Sequence, residues 1–381
     1  MASLPPFVPL DHWRRRTQQI IEGLLERIDD LSVSDYPAPA PIQVIEFLQD
    51  FLRVLSGEVD KAGSENKLRL LSSLVQDLGI FLEWLDNAHT GQTPRGLVQV
   101  LKDLMDRMVP NSRVVARPQP EYNYSIIDLG LLLKKLVDQF VPLSKQTAFQ
   151  RYLGSPVKLI SFPRIERDNL LAHAIFGHEL GHPIADEFLS EEAKDPDHKA
   201  DQTRIQQLIT DFLDHHSATA SLDAGEKLQR KTKIFKTVLE VRKRALEELI
   251  SDAVGILIFG PSALFSMFEL LWSGNWDAKP APDDWYPPSR MRMRLMLKLL
   301  EDLGWAQAFS TLAQGSISPP YIATAQGFID EAKNLVLVTS DESAIDRDQI
   351  LKIAYDWMRS GLVRSSWLLG ASFSLHGRHL A

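Results

Sequence analysis

The chain contains no cysteine. That absence excludes a disulfide framework and leaves histidine and carboxylate side chains as the strong ligands for any metal site. It also suits a reducing compartment, and a cytoplasmic location is expected. An excess of positive charge is missing too. Lys and Arg number 42 against 50 Asp and Glu, a net charge of −8, which argues against nucleic acid as a partner. The local basic runs Arg14-Arg15-Arg16 and Arg242-Lys243-Arg244 fall inside helical patterns and read as solvated helix faces. The N-terminus has neither the basic nor the apolar region of a secretory signal. One stretch alone approaches bilayer length, Ala253 to Trp272. Gly260-Pro261 interrupts it and Glu269 falls within it, so it reads as two buried helices meeting at a corner, with no integral membrane span. There is no fixed-period repeat and no low-complexity tract.

What is present is mostly helical periodicity. Apolar residues at three-and-four spacing predict helices over Asp11–Leu31, Pro41–Leu55, Ser64–Asn87 and Pro94–Met108. A proline-containing loop over Val109–Tyr124 leads into a helix at Ile126–Phe140. The best strand is Pro156–Pro163, short, partly β-branched and closed by proline. Helix signals resume at about Arg167 and run to Pro183. Further helices are predicted at Gln202–His215, Lys227–Phe259, Arg290–Leu303, Ile322–Val336 and Asp346–Ser360. The expected division is a helical region at 1–150, regulatory or for interaction, a core at 151–310 and a helical C-terminal region at 311–381.

Within the core lies His178-Glu179-Leu180-Gly181-His182. Two histidines four apart share a helix face, so both imidazoles can bind one metal ion, and Glu179 can act on a water as general base. Gly181 admits a second backbone at close range. Pro183 cannot donate to the carbonyl of Glu179, so the helix is expected to end or kink there, which demotes Asp186 to a surface acid. His173 points to another face and reads as a packed or capping residue. The position ten after His178 is Phe188, so a third ligand comes from further along.

Three E-x-x-x-D pairs follow: Glu191/Asp195, Glu248/Asp252 and Glu342/Asp346. The first and last lie in polar, charged segments. Glu248 and Asp252 occupy a helix lined with Leu249, Ile250, Val254, Ile256 and Leu257. Acidic groups on an apolar helix need partners, because unpaired burial is costly. A metal for Glu248, and the free N–H of a ligating histidine for Asp252, would supply both.

This pattern resembles the gluzincin metallopeptidases, most closely the HtpX-type group, over residues 156–300. The resemblance implies a zincin-like metallopeptidase core with a small strand element, on which the helical N-terminal region packs in a mainly α protein. It implies Zn2+ held by His178, His182 and Glu248, with Asp252 supporting a histidine. Tyr286-Pro287-Pro288-Ser289-Arg290-Met291-Arg292 resembles the group's H-P-P-x-x-x-R segment, with Tyr286 standing where the group has histidine. The group's membrane helices have no counterpart. The expected function is zinc-dependent endopeptidase action on a protein or peptide substrate, with Glu179 as base and Tyr286 and Arg292 as candidate oxyanion stabilisers. Val157–Phe162 serves either as an edge strand binding substrate backbone or as an ordinary core strand. The competing expectation is a catalytically silent helical scaffold or interaction protein whose zinc site is structural and closed by His198, His215 or His216. In either case the N-terminal helices are available to a protein partner or an oligomer interface.

Overall fold

A computed structural model describes residues 9–215, 222–271, 276–282, 285–314, 320–337 and 348–376. These residues are mainly helical, with three short strands. The chain divides into two compact units, Met1–Leu170 and Leu171–Ala381.

In the first unit, helices α1 (Pro9–Ser32), α2 (Ala40–Lys61), α3 (Glu65–Asp77), α4 (Gly79–Asn87) and α5 (Arg95–Met108) precede strand β1 (Arg113–Gln119). Strand β2 (Ser125–Asp128) runs into α6 (Leu129–Phe140), and the short α7 (Leu143–Gln146) and α8 (Gln150–Leu153) lead to β3 (Val157–Pro163). The amphipathic faces of α1 to α3 meet in one core with Phe47, Phe51, Phe149 and Tyr152. The sheet order is β1-β3-β2, with β1 parallel and β2 antiparallel to β3.

Three expectations are corrected here. The segment 109–124, read as loop, contains β1. Its Pro118 is tolerated because β1 is an edge strand, where a missing N–H need not break a ladder. The start of the helix predicted at Ile126–Phe140 is strand β2. The switch falls at Asp128, whose carboxylate caps α6 by accepting from Leu131 N at 2.9 Å. Finally, β3 pairs on both sides over residues 158–161, so the edge-strand role is closed to it. Its nearly uninterrupted burial is that of a central strand. It belongs to the first unit.

The second unit is built around one long helix. Helix α9 (Phe176–Glu192) follows a short 3-10 turn at Ala172–Ile175, then come α10 (Pro196–His215) and α11 (Ala224–Phe259). Asp223 and Glu226 form a capping box at the start of α11. Gly260, at φ +57, ends it, and α12 (Pro261–Leu271) turns away, so the apolar stretch is two helices over its described residues 253–271. No helix among the described residues is long and apolar enough to cross a membrane. Helices α13 (Ser289–Asp302), α14 (Trp305–Gln314), α15 (Pro320–Leu337) and α16 (Gln349–His376) complete the unit. The core between α9, α10, α11 and α16 contains Phe188, Ile209, Val238, Leu246, Tyr355 and Trp357.

Of the two outcomes expected at Pro183, an end is excluded: α9 continues through it to Glu192. Proline removes one intrahelical bond, but the following turns have their own anchors. Ala185 and Phe188 are buried, and Glu192 accepts two 2.7 Å bonds from Arg242 on α11. That guanidinium also lies 4.5 Å from the ring centroid of Trp357 on α16. Tertiary contacts outweigh the local cost.

Candidate metal centre

The site rests on how closely α9 and α11 approach. Gly177 and Gly181 on α9 face Ser251 and Gly255 on α11. A Cβ at Gly177 would lie 2.8 Å from the Cα of Gly255, and one at Gly181 would lie 2.9 Å from the Ser251 carbonyl oxygen. Neither position has room for a side chain, so the expected close approach at Gly181 is present. Backbone contact at this range sets the next face of each helix, His178 and His182 against Glu248 and Asp252, within side-chain reach.

His178, His182 and Glu248 each offer one ligand atom, and these atoms lie within 4.8 Å of one another. His178 Nδ1 lies 2.8 Å from Asp252 Oδ1, against 3.5 Å from an Arg292 nitrogen. The shorter contact to the carboxylate assigns the proton to Nδ1 and leaves Nε2 turned to Glu248 Oε2 at 3.4 Å. His182 Nδ1 lies 3.2 Å from Glu247 Oε1. Both imidazoles therefore have a carboxylate behind them and the opposite nitrogen available. Arg292, 6% exposed, donates to both oxygens of Asp252 at 2.8 Å and comes within 3.3 Å of Glu248 Oε2. It braces the acids from beneath.

The remaining expected residues fall as follows. Glu179, half-buried on α9, has no hydrogen bond or ion pair to any described residue, unlike the three other carboxylates. Tyr286 is 41% exposed, with its hydroxyl accepting from Arg244. It is carried by a short extended segment in which Trp285 adopts φ 55 and Pro287 and Pro288 are buried. Asp186 is exposed, and His173 is buried and stacked on Phe176. Glu191 is exposed and paired with Lys194, and Asp195 accepts from Asp197 N at 2.8 Å. His198 stacks on Trp357 and His215 bonds the Asp211 carbonyl, so neither joins the site. Glu342, Asp346 and His216 lie outside the described residues.

Two residues of the site escaped the sequence reading, Glu247 and Arg244. Arg244 Nη1 lies 3.1 Å from Glu247 Oε1 and Nη2 lies 3.0 Å from Glu248 Oε1. The spacing of 244 to 247 and 248 is a helical i,i+3/i+4 signal, but it is indistinguishable from a surface pair in sequence.

The electrostatics describe a site that attracts a cation. Glu179, Glu247, Glu248 and Asp252 bring four carboxylates against the guanidiniums of Arg244 and Arg292. Burial alone would push the His178 pKa down, but Asp252, by hydrogen bond and charge, and Glu248 outweigh it and hold His178 up to about 9. Glu247 is pulled down to about 2, first by its bond to His182 and then by Arg244, against burial. For Glu248 burial is the largest single effect and opposes ionisation, yet His178, Arg292 and Arg244 together hold its pKa below the usual carboxylate range. Asp252 is also held low, Arg292 and His178 overcoming its burial. Burial raises Glu179, with the positive groups around it only partly offsetting the effect.

The donor types suit a divalent cation, and one pair of the three atoms, which all lie within 4.8 Å of one another, already has the required separation. Ligands about 2.0–2.1 Å from a tetrahedral ion lie about 3.3–3.4 Å apart, and His178 Nε2 and Glu248 Oε2 are 3.4 Å apart. With both imidazoles neutral, as ligands must be, the four carboxylates and two guanidiniums leave an excess of two negative charges, which one such ion neutralises. Comparison with protein families, curated proteins and solved structures finds no match for this chain.

Proposed function

We propose that the protein is a zinc-dependent hydrolase of peptide bonds, an endopeptidase with a zincin-like core, acting in the cytoplasm. The observation that carries this reading is the juxtaposition of the His178, His182 and Glu248 ligand atoms with one neighbouring carboxylate, Glu179, that no other described residue bonds. Two histidines and a glutamate with a fourth position open are the donor set of catalytic zinc. When bound, the metal supplies a water of lowered pKa and polarises the scissile carbonyl.

The chain's own residues account for the remainder. Asp252 and Glu247 orient the two imidazoles, Arg292 fixes Asp252, and Glu179 takes the proton of the attacking water. Its burial places its proton affinity above that of an ordinary carboxylate, which suits a group that accepts and then returns a proton near neutral pH. Tyr286 stands at the exposed side of the cluster, and its phenol O–H is a candidate donor to the developing oxyanion. Arg292 is committed to Asp252 and Glu248, so its role is positioning.

The test is zinc content and peptide hydrolysis of the native chain beside Glu179→Gln. Stoichiometric zinc in both, with hydrolysis reduced about 10²–10⁴-fold in the variant, is the expected result. Equal hydrolysis in the two would remove Glu179 as base, and a native chain without metal would overturn the reading.

A further inference from the structure

Arg244 sits where three features of the site meet. In ion pairs rather than hydrogen bonds, its Nη2 lies 3.0 Å from Glu248 Oε1, and its Nη1 lies 3.1 Å from Glu247 Oε1, the same oxygen that faces His182 Nδ1. Its guanidinium carbon stands 4.3 Å from the ring centroid of Tyr286, whose hydroxyl accepts from Nη2. The other oxygen of Glu248, Oε2, is the one turned to His178 Nε2 at 3.4 Å. The two oxygens of the third ligand therefore have different partners.

We propose that Arg244 is a positioning residue of the metal centre, holding Glu248 by Oε1 so that Oε2 alone is offered to the ion, and holding Glu247 behind His182. The inference rests on the metallohydrolase reading. Helix stabilisation does not explain the arrangement. An arginine placed before its glutamate partners has the less favourable order along a helix, and an exposed pair of this kind contributes only tenths of a kcal/mol. Glu248, at 1% exposure, is far from an exposed partner. Arg292 cannot replace Arg244, because it approaches Glu248 from the Oε2 side and its fork is taken by Asp252. Lysine cannot replace it either. Reaching two carboxylates while standing 4.3 Å from the centroid of an aromatic ring suits a planar fork, and an ammonium is a point charge.

The experiment uses the full chain, with Arg244→Met and Arg244→Lys beside the native protein. Zn2+ affinity is measured by competition with a chromophoric chelator, and the visible absorption of the Co2+-loaded protein reports coordination number. Circular dichroism of the metal-free proteins checks folding, and Arg244→Lys, which keeps the charge, carries the test if Arg244→Met does not fold. The expected result is a 10–100-fold loss of Zn2+ affinity in both variants, the usual effect of removing a group that orients a ligand. The Co2+ bands should weaken as the freed carboxylate becomes bidentate and coordination rises to five. Native affinity and unchanged Co2+ bands in the folded variants would overturn the role of Arg244 while leaving the metal centre standing. Full recovery by lysine would reduce the role to charge and overturn the clamp. A native chain that binds neither ion removes the metallohydrolase reading, and this inference with it.

Discussion

Glu179 is set apart from the acids around it by what it lacks. Asp252 is shared by His178 and Arg292, Glu247 by His182 and Arg244, and Glu248 by two arginines and His178, while Glu179 has no bonded partner among the described residues. Free lone pairs beside a metal position are what a proton acceptor needs. The held acids predict different outcomes. Asp252→Asn keeps the shape but weakens the acceptor for His178 Nδ1, and should reduce zinc affinity by about 10–100-fold with Glu179 untouched; chelator competition measures it. Arg242→Ala removes the guanidinium from Glu192, 5% exposed, while His198 Nδ1 stays 3.6 Å from it, and should lower stability by up to about 3 kcal/mol in denaturant titration. A loss under 1 kcal/mol would mean that the pair is hydrated. The run Arg242-Lys243-Arg244, expected as a solvated face, divides by residue. Lys243 alone is exposed, Arg242 is buried at 3%, and Arg244 is half-buried in the metal cluster. Their charge was legible in sequence. Their direction was not, because neighbouring positions on a helix point about 100° apart and only the packed partner says which faces are dry.

At the scale of elements, the α9–α11 contact decides the site. Gly181→Ala places a methyl group against the backbone of Ser251, which cannot swing aside as a side chain can. The helices must separate by a fraction of an ångström or more. We expect a loss of about 1–3 kcal/mol, the usual cost of overpacking, together with weakened zinc binding. A variant with native Tm and native affinity would show that the close approach is not required. Asp128 offers an independent test in the first unit. It caps α6 and bonds Lys158 at 2.8 Å, and these contacts, opposed by burial, depress its pKa below 3.8. A depressed carboxylate contributes stability that is fully present above its unfolded pKa and is lost as pH falls through its folded value. Asp128→Ala should therefore cost about 1 kcal/mol at neutral pH, as loss of a helix cap does. The difference from native should narrow below about pH 4. A constant difference down to pH 2 would remove the carboxylate from the account. The sheet was the least legible element. β1 carries a proline and β2 has only four residues, so each is weak as a strand until β3 pairs with it, and pairing is nonlocal.

For the whole molecule, the division at Leu170/Leu171 puts His178, His182, Glu248 and every group that supports them in the second unit. Metal binding should therefore be felt unequally along the chain. Zinc at 100 times its dissociation constant stabilises the state that binds it by about 2.7 kcal/mol. Amide hydrogen exchange should slow across α9 and α11 on zinc addition, with β1, β2 and β3 unchanged, and a chelator should reverse it. Equal protection in both units would show that they open as one cooperative body.

The sequence by itself determined the helical class, the shared face of His178 and His182, the break at Gly260-Pro261 and the acids Glu248 and Asp252 on an apolar helix. Each follows from local periodicity, backbone chemistry or the cost of burying charge, all of which are written in neighbouring residues. The tertiary structure decided the rest. It carried α9 through Pro183 by anchoring Glu192, made β3 a central strand, and turned Arg292 beneath the acids. It also brought Arg244 and Glu247 into the centre as supports for two ligands. These outcomes depend on contacts between segments far apart in sequence, such as Arg292 with Asp252, 40 residues away, and His178, 114 away, and Arg242 with Glu192, 50 away. Local preference cannot encode which distant group arrives, because that is settled by the packing of small residues where α9 crosses α11.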